Sequence, residues 1–286
     1  MKHFRHIALA AVGGAMLTAA CAFSAPAFAA GPEVVAGPAS DPGCFVPWTD
    51  KTKFFKWPAK KGPFRIALAN GFIANTWRIQ MIQTAKAFAA QPDIAAQLKE
   101  FKVVSTGEDV AAQIAAVNNF IDSGFDAIVV NAQNPSAFKP VIKRANDAGV
   151  VLVAFDNILD SEDAINVDVD QKGLGVYWGK WLASHIPNGG KVLEVRGVSG
   201  TSVDRDRHDG IHEALNATGK KWDVVEVYGK WDDPTAQKAT AEDPNFKDDV
   251  NYYSKLGDNF FVGNSFPTCN INFSAAEIMG QSKENK

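Results

Sequence analysis

The stretch "DAIVVNAQNPSAFKPVIKRANDAGVVLVAFDN", Asp126 to Asn157, decides the fold. "DAIVVNA" and "VVLVAFD" are short, almost continuous apolar runs, and "PSAFKPVIKRANDAG" between them carries helical spacing. A strand that is apolar at nearly every position needs cover on both faces, so the unit predicts two parallel strands joined by a helix. Upstream the pattern repeats. "FRIALA" reads as a strand, followed by helix "TWRIQMIQTAKAFAAQ", with Trp77, Met81, Ile82, Ala85 and Phe88 on one stripe. "FKVVS" is a second strand, and "DVAAQIAAVNNFIDSG" a second helix, capped by Asp109 and ended by Gly124. Three βα units and a fourth strand predict an α/β fold, a parallel sheet with helices on both faces.

Downstream, "SEDAINVDVDQKG" contains a strand over Ala164 to Val169 and leads into helix "LGVYWGKWLASHI". Strand "KVLEV", loop "RGVSGTSVD", helix "RDRHDGIHEALNATG" and strand "WDVVEVYG" follow. This second α/β series predicts a second lobe over 169–240, after a first lobe over 64–168. It stops early. After "GKWDDPTAQKAT" the chain becomes polar, aromatic and irregular, so residues 241–286 read as a tail in which only "SAAEIMGQ" suggests a helix. Two strands are too few to bury both faces of a sheet.

The chain has 286 residues, a net charge of -3 and 21% charged residues, which suits one large domain or two lobes and gives no basic excess for nucleic acid. Residues 1–29 have the layout of a cleaved signal peptide: Lys2 and Arg5, an apolar segment Ile7 to Ala20, then Ala27-Phe28-Ala29. Gly13, Gly14 and Pro26 break the run that a membrane anchor would need. The expectation is export to the periplasm. Residues 30–63, rich in Pro, Gly and Lys, read as an extended arm. Beyond the leader two cysteines remain, Cys44 and Cys269, and their even number in an exported chain favours a disulfide between the two tails over two free thiols.

In open parallel sheets the ligand lies beyond the carboxyl ends of the strands. The residues in that position form a coherent set. Asn70, Asn75, Trp77 and Arg78 follow the first strand, Asn131 the third, and Asp156 and Asn157 the fourth; Arg205 and Trp231 come from the second series. Amide, carboxylate and guanidinium groups with two indoles suit a polar, hydroxyl-rich ligand, the planar groups pairing with hydroxyls and the indoles covering C–H faces. Each has an ordinary alternative: Asn75 and Asn131 as turn formers or caps, Trp77 as core, and Arg205 as partner of Asp204, Asp206 or Asp209.

Catalytic and cofactor motifs do not match. His208 and His212 lie four apart in "HDGIHE", but Asp209 follows the first histidine where a zinc-protease motif has Glu, so no metal is expected. "GVSGTS" lacks the P-loop lysine and the GxGxxG spacing, and neither Ser199 nor Ser202 lies in a GxSxG elbow. No cofactor is expected. The alternatives kept open are a secreted metal-dependent hydrolase around His208 and His212, and an effector-binding regulatory module.

"IALANGFIANTWRIQ", "AIVVNAQNPSAF", "VVLVAFDN", "VDVDQKGLGVYWGKWLA", "VRGVSGTSVDRDRHDGIHEAL" and "YGKWDDPTAQKA" together resemble the ribose-binding-like (type I periplasmic binding protein) family of bacterial ABC importers. The resemblance covers about Phe64 to Thr240. It implies two doubly wound α/β lobes joined by three crossovers, a sugar or polyol held between them, a membrane permease as partner, a monomeric state and no enzymatic activity. It implies ligand contacts at Asn75, Trp77, Arg78, Asn131, Asp156, Asn157, Arg205 and Trp231. Asn157 stands where the family usually has Arg. After "TAQKAT" the family continues with further βα units, whereas this chain passes straight into a segment that resembles the family's far C-terminus. About three units of ~30 residues are missing by that comparison, with a junction near Ala239 to Asp243 and an expected loss of sugar affinity.

Overall fold

The computed structural model describes residues 31–36, 51–73 and 75–242. The segment expected to be a leader, the expected pair Cys44 and Cys269, and the tail beyond Glu242 lie outside the described residues. The first lobe is built on β3 (Phe64–Asn70), β4 (Leu98–Ser105), β5 (Ala127–Asn131), β6 (Val151–Phe155) and β7 (Ile165–Val167), after a two-stranded ribbon of β1 (Glu33–Val35) and β2 (Phe54–Lys56). The ribbon is antiparallel and falls in the segment that shows no periodicity in sequence. Three-residue strands are too short to show one.

The five strands are all parallel, in the order β4-β3-β5-β6-β7. In sequence terms this is the order 2-1-3-4-5, with its switch point between β3 and β5. The helices of this lobe are α1 (Thr76–Ala89), the single turn α2 (Pro92–Ala95), α3 (Val110–Asp122) and α4 (Lys139–Asp147). Right-handed crossovers running in opposite directions from the switch point put α1 on one face and α3 and α4 on the other. The core between sheet and helices includes Ala67, Val117, Phe120, Ile128, Val130 and Phe138.

At the switch point the two strands part, and their terminal backbone groups need other partners. Buried Gln113 of α3 supplies them. Its amide donates to the Ala69 and Asn131 carbonyls at 3.2 and 2.8 Å and accepts from the Gln133 N–H at 2.9 Å.

The second lobe comprises α5 (Gln171–His185), β8 (Gly190–Arg196), α6 (Ser202–Asn216), β9 (Trp222–Tyr228) and α7 (Asp233–Glu242). β8 and β9 form a two-stranded parallel sheet. Helices α5 and α6 approach closely through glycine. A Cβ on Gly175 would lie 2.1 Å from the Arg207 carbonyl oxygen, and one on Gly210 2.1 Å from that of Lys172. The lobe is incomplete beside the five-stranded first one. Val195, on the sheet face opposite Glu194, remains 46% exposed. Among the described residues no helix is long and apolar enough to cross a membrane.

Candidate functional site

The two sheets direct their carboxyl ends at a common cleft of about 440 Å³, lined by Asn75, Trp77, Arg78, Asp156, Arg207 and Trp231 among others. That volume is within the range of small-ligand sites. The first wall is the start of α1. Asn75 is its N-cap, accepting from the Arg78 N–H at 2.8 Å, so the capping role and the position on the cleft coincide. Trp77 is 48% exposed, and the buried stripe of α1 contains Arg78 and Ile82 instead. The indole therefore points to the cleft and not into the core.

Arg78 is almost fully buried and donates to Asn70 Oδ1 at 2.9 Å. Burial lowers its guanidinium to about 10, against the opposing field of Asp156. Asn70 is itself fully buried and donates to the Phe72 carbonyl and Ser105 Oγ at 2.9 and 3.1 Å. It positions the arginine and does not line the cleft.

A second wall comes from the turn after β6. Asp156 has φ 58, a left-handed conformation that a residue with a Cβ adopts at a cost. One of its carboxylate oxygens accepts from Asn131 at 3.1 Å and Asn157 at 3.3 Å, and Asn157 donates to Asn131 Oδ1 at 2.8 Å. Asn131 and Asn157 are fully buried. Their amides form a ladder beneath Asp156 and are occupied by protein partners. Asn157 also accepts the Val203 N–H of the second lobe at 3.3 Å, which ties it to the interlobe contact.

The second lobe contributes Arg207 and Trp231. Lys230 and Trp231 have φ 57 and 56, and the turn lays the indole on Gly197. A Cβ there would meet Trp231 Cε2 at 2.2 Å. Arg207 donates to Gln171 Oε1 at 2.9 Å and lies 5.8 Å from the Trp178 ring centre. Burial lowers its guanidinium, while Asp156, Asp168 and Asp204 oppose this. Asp168, in the segment joining the lobes, has a carboxyl raised by burial to about 7, although it accepts from Gln171 and the Val169 N–H. Its Oδ2 is buried with no hydrogen-bond partner.

Arg205 is placed elsewhere. It pairs with Asp206 at 2.7 Å and Asp160 at 3.1 Å, across the lobes but outside the lining of the cleft. The helical phase explains this, because Val203 and Arg207, four apart, face the cleft. Sequence reasoning missed Arg207 because "VDRDRHDG" carries charge on every side of the helix. His208 and His212 point away from the cleft, toward Glu194.

Two α/β lobes with a polar, aromatic cleft at their facing strand ends define a two-lobed binding protein. Residues 66–242 match the family described as periplasmic binding protein domain, and the chain belongs to that family as a ribose-binding-like type I member. It is a family of binding proteins and not of enzymes, which removes the hydrolase alternative. The chain is similar to the D-ribose/D-allose-binding protein of Pseudomonas aeruginosa, 33% identical over 59% of this chain and 54% of that protein. It is 28% identical to the galactofuranose-binding protein YtfQ of Escherichia coli, over 55% of this chain and 49% of that one. Among solved structures, an ABC transporter solute-binding protein from Thermobispora bispora is 32% identical with a TM-score of 0.56, over 62% of this chain and 56% of the other. The chain thus spans about half the length of the relatives it matches.

Proposed function

We propose that the chain binds a sugar or polyol in the interlobe cleft as the solute-binding component of an ABC importer in the periplasm, with a membrane permease as partner and as a monomer. The observation that carries this reading is the pair of Trp77 and Trp231 on opposite walls of one cleft, with Arg78, Asp156 and Arg207 between them. Indoles cover the C–H face of a sugar ring, and planar charged groups take its hydroxyls. The names of the similar proteins, which include ribose, allose and galactofuranose binders, support the ligand class.

Asn75, Trp77, Arg78, Asp156 and Trp231 act on the ligand directly, whereas Asn70, Asn131 and Asn157 act by holding Arg78 and Asp156. Arg205 contributes to closure of the lobes. The two-stranded second lobe removes part of the contact set, and the junction near Ala239 to Asp243 corresponds to an internal deletion. Polar groups left without partners cost about 1–3 kcal/mol each, so affinity falls below the micromolar range.

Saturation-transfer NMR and calorimetry against pentoses, hexoses and polyols test both statements. The expected result is weak binding of at least one compound, abolished in Trp231→Ala. Absence of transfer from every compound at tens of millimolar overturns sugar binding, and micromolar affinity overturns the impairment alone.

A further inference from the structure

On the side of the second sheet that faces α6, four donor side chains converge. Glu194 of β8 and Glu226 of β9 are register partners in adjacent strands. His208 and His212 stand one turn apart on the helix above them. His208 Nδ1 lies 2.9 Å from Glu194 Oε2, His212 Nε2 lies 3.2 Å from the same oxygen, and His208 Nδ1 is 4.0 Å from Glu226 Oε2. One ligand atom from each of the four residues fits within a 4.8 Å span.

Contacts between a helix and a sheet are ordinarily filled by apolar side chains. Here two imidazoles and two carboxylates occupy that layer, and Glu194 is only 9% exposed. The charges do not balance. Arg196 pairs with Asp204 at 2.8 Å and with Glu226 at 2.7 Å. With both histidines neutral, Glu194, Glu226 and Asp204 against one guanidinium leave two negative charges in this partly buried layer.

We propose that Glu194, His208, His212 and Glu226 form a site for a divalent transition-metal ion of the zinc type. Two imidazole nitrogens with carboxylate oxygens are the donor set that zinc and its neighbours prefer over calcium or magnesium. A tetrahedral centre with bonds of about 2.0–2.2 Å has ligand-to-ligand edges of roughly 3.3–3.6 Å, and the spacings of 2.9, 3.2 and 4.0 Å bracket that edge. The ion takes the place of the N–H protons that two neutral rings would otherwise point at one carboxylate oxygen, each ring keeping its single proton on its other nitrogen, and the ion's charge cancels the local excess. Arg196 orients Glu226 from outside, as ligating carboxylates are commonly oriented. The site is separate from the cleft and independent of the sugar reading. Its effect is to clamp α6, which also carries Val203 and Arg207, onto β8 and β9.

The test uses the tag-free full chain after chelator treatment, titrated with zinc chloride by calorimetry and by thermal denaturation. One ion per chain is expected, with a rise in the unfolding midpoint and an affinity at least tenfold lower in His208→Ala and in His212→Ala but unchanged in the His185→Ala control. No zinc-dependent heat or shift in the wild-type chain overturns the proposal, as does zinc binding that survives both substitutions together. If those variants do not fold, X-ray absorption of the zinc-loaded wild-type chain decides: two imidazole ligands support the site, and fewer than two overturn it. Calcium chloride giving an equal or larger shift overturns the metal class.

Discussion

Asp168 sits in an environment at odds with its chemistry. Its carboxyl, with an ordinary value of 3.8, is raised by burial to about 7, and one oxygen has no partner. Between those two values the folded state holds a proton that the unfolded chain has released, so stability falls as pH rises through the window and the penalty is complete above it. Asp168→Asn is expected to flatten this part of the pH profile and to raise the urea midpoint at pH 8 while leaving it nearly unchanged at pH 4. Identical profiles for the two proteins would refute the assignment. This residue was not legible in the sequence, where "VDVDQ" suggests only the polarity of a strand. The positions of Asn75 and Asp156 on the cleft were legible, because the βα pattern fixes where strands end and the next helix begins. Arg205 and Arg207 could not be told apart, since Asp204 to Asp209 is charged or imidazole at every position and offers no apolar stripe to phase that part of α6.

At the scale of elements, the βα units were readable because strands buried on both faces leave continuous apolar runs. The device at the switch point was not. Gln113 looks in sequence like one polar residue in the apolar first half of α3, and only its place at the ends of β3 and β5 gives it three backbone partners. Gln113→Leu keeps the volume roughly constant and leaves those groups unpaired, so a loss of at least about 2 kcal/mol in urea denaturation is expected. A loss below about 0.5 kcal/mol would mean that water replaces the side chain and that the strands are held by other contacts. Because Asn131 is one of the residues held, the variant should also disturb the ladder beneath Asp156.

Across the whole molecule, the lobes meet through a small set of polar contacts. Lys230 and Glu108 pair at 3.0 Å, Ile158 N–H donates to Ser202 Oγ at 2.9 Å, and Arg205 pairs with Asp160. Lys230 and Glu108 have side chains 44% and 45% exposed, and such pairs contribute about 0–1 kcal/mol. Glu108→Gln is therefore expected to weaken ligand binding by no more than about fivefold and to remove most of its dependence on salt, both read by NMR titration at two ionic strengths. A loss of all binding would show that this pair, and not the cleft, governs closure. The single connection through Asp168 to Asp170 has a mechanical corollary. Among the described residues it alone carries the chain between lobes, and a body tethered at one point can swivel about any direction, whereas several parallel tethers define one axle. The glycine seam fuses α5 to α6, so among the described residues that freedom resides in the tether and is opposed only by the contacts between the lobes. With no second tether among the described residues, a ligand held as proposed would have to arrest three rotations where one would otherwise suffice.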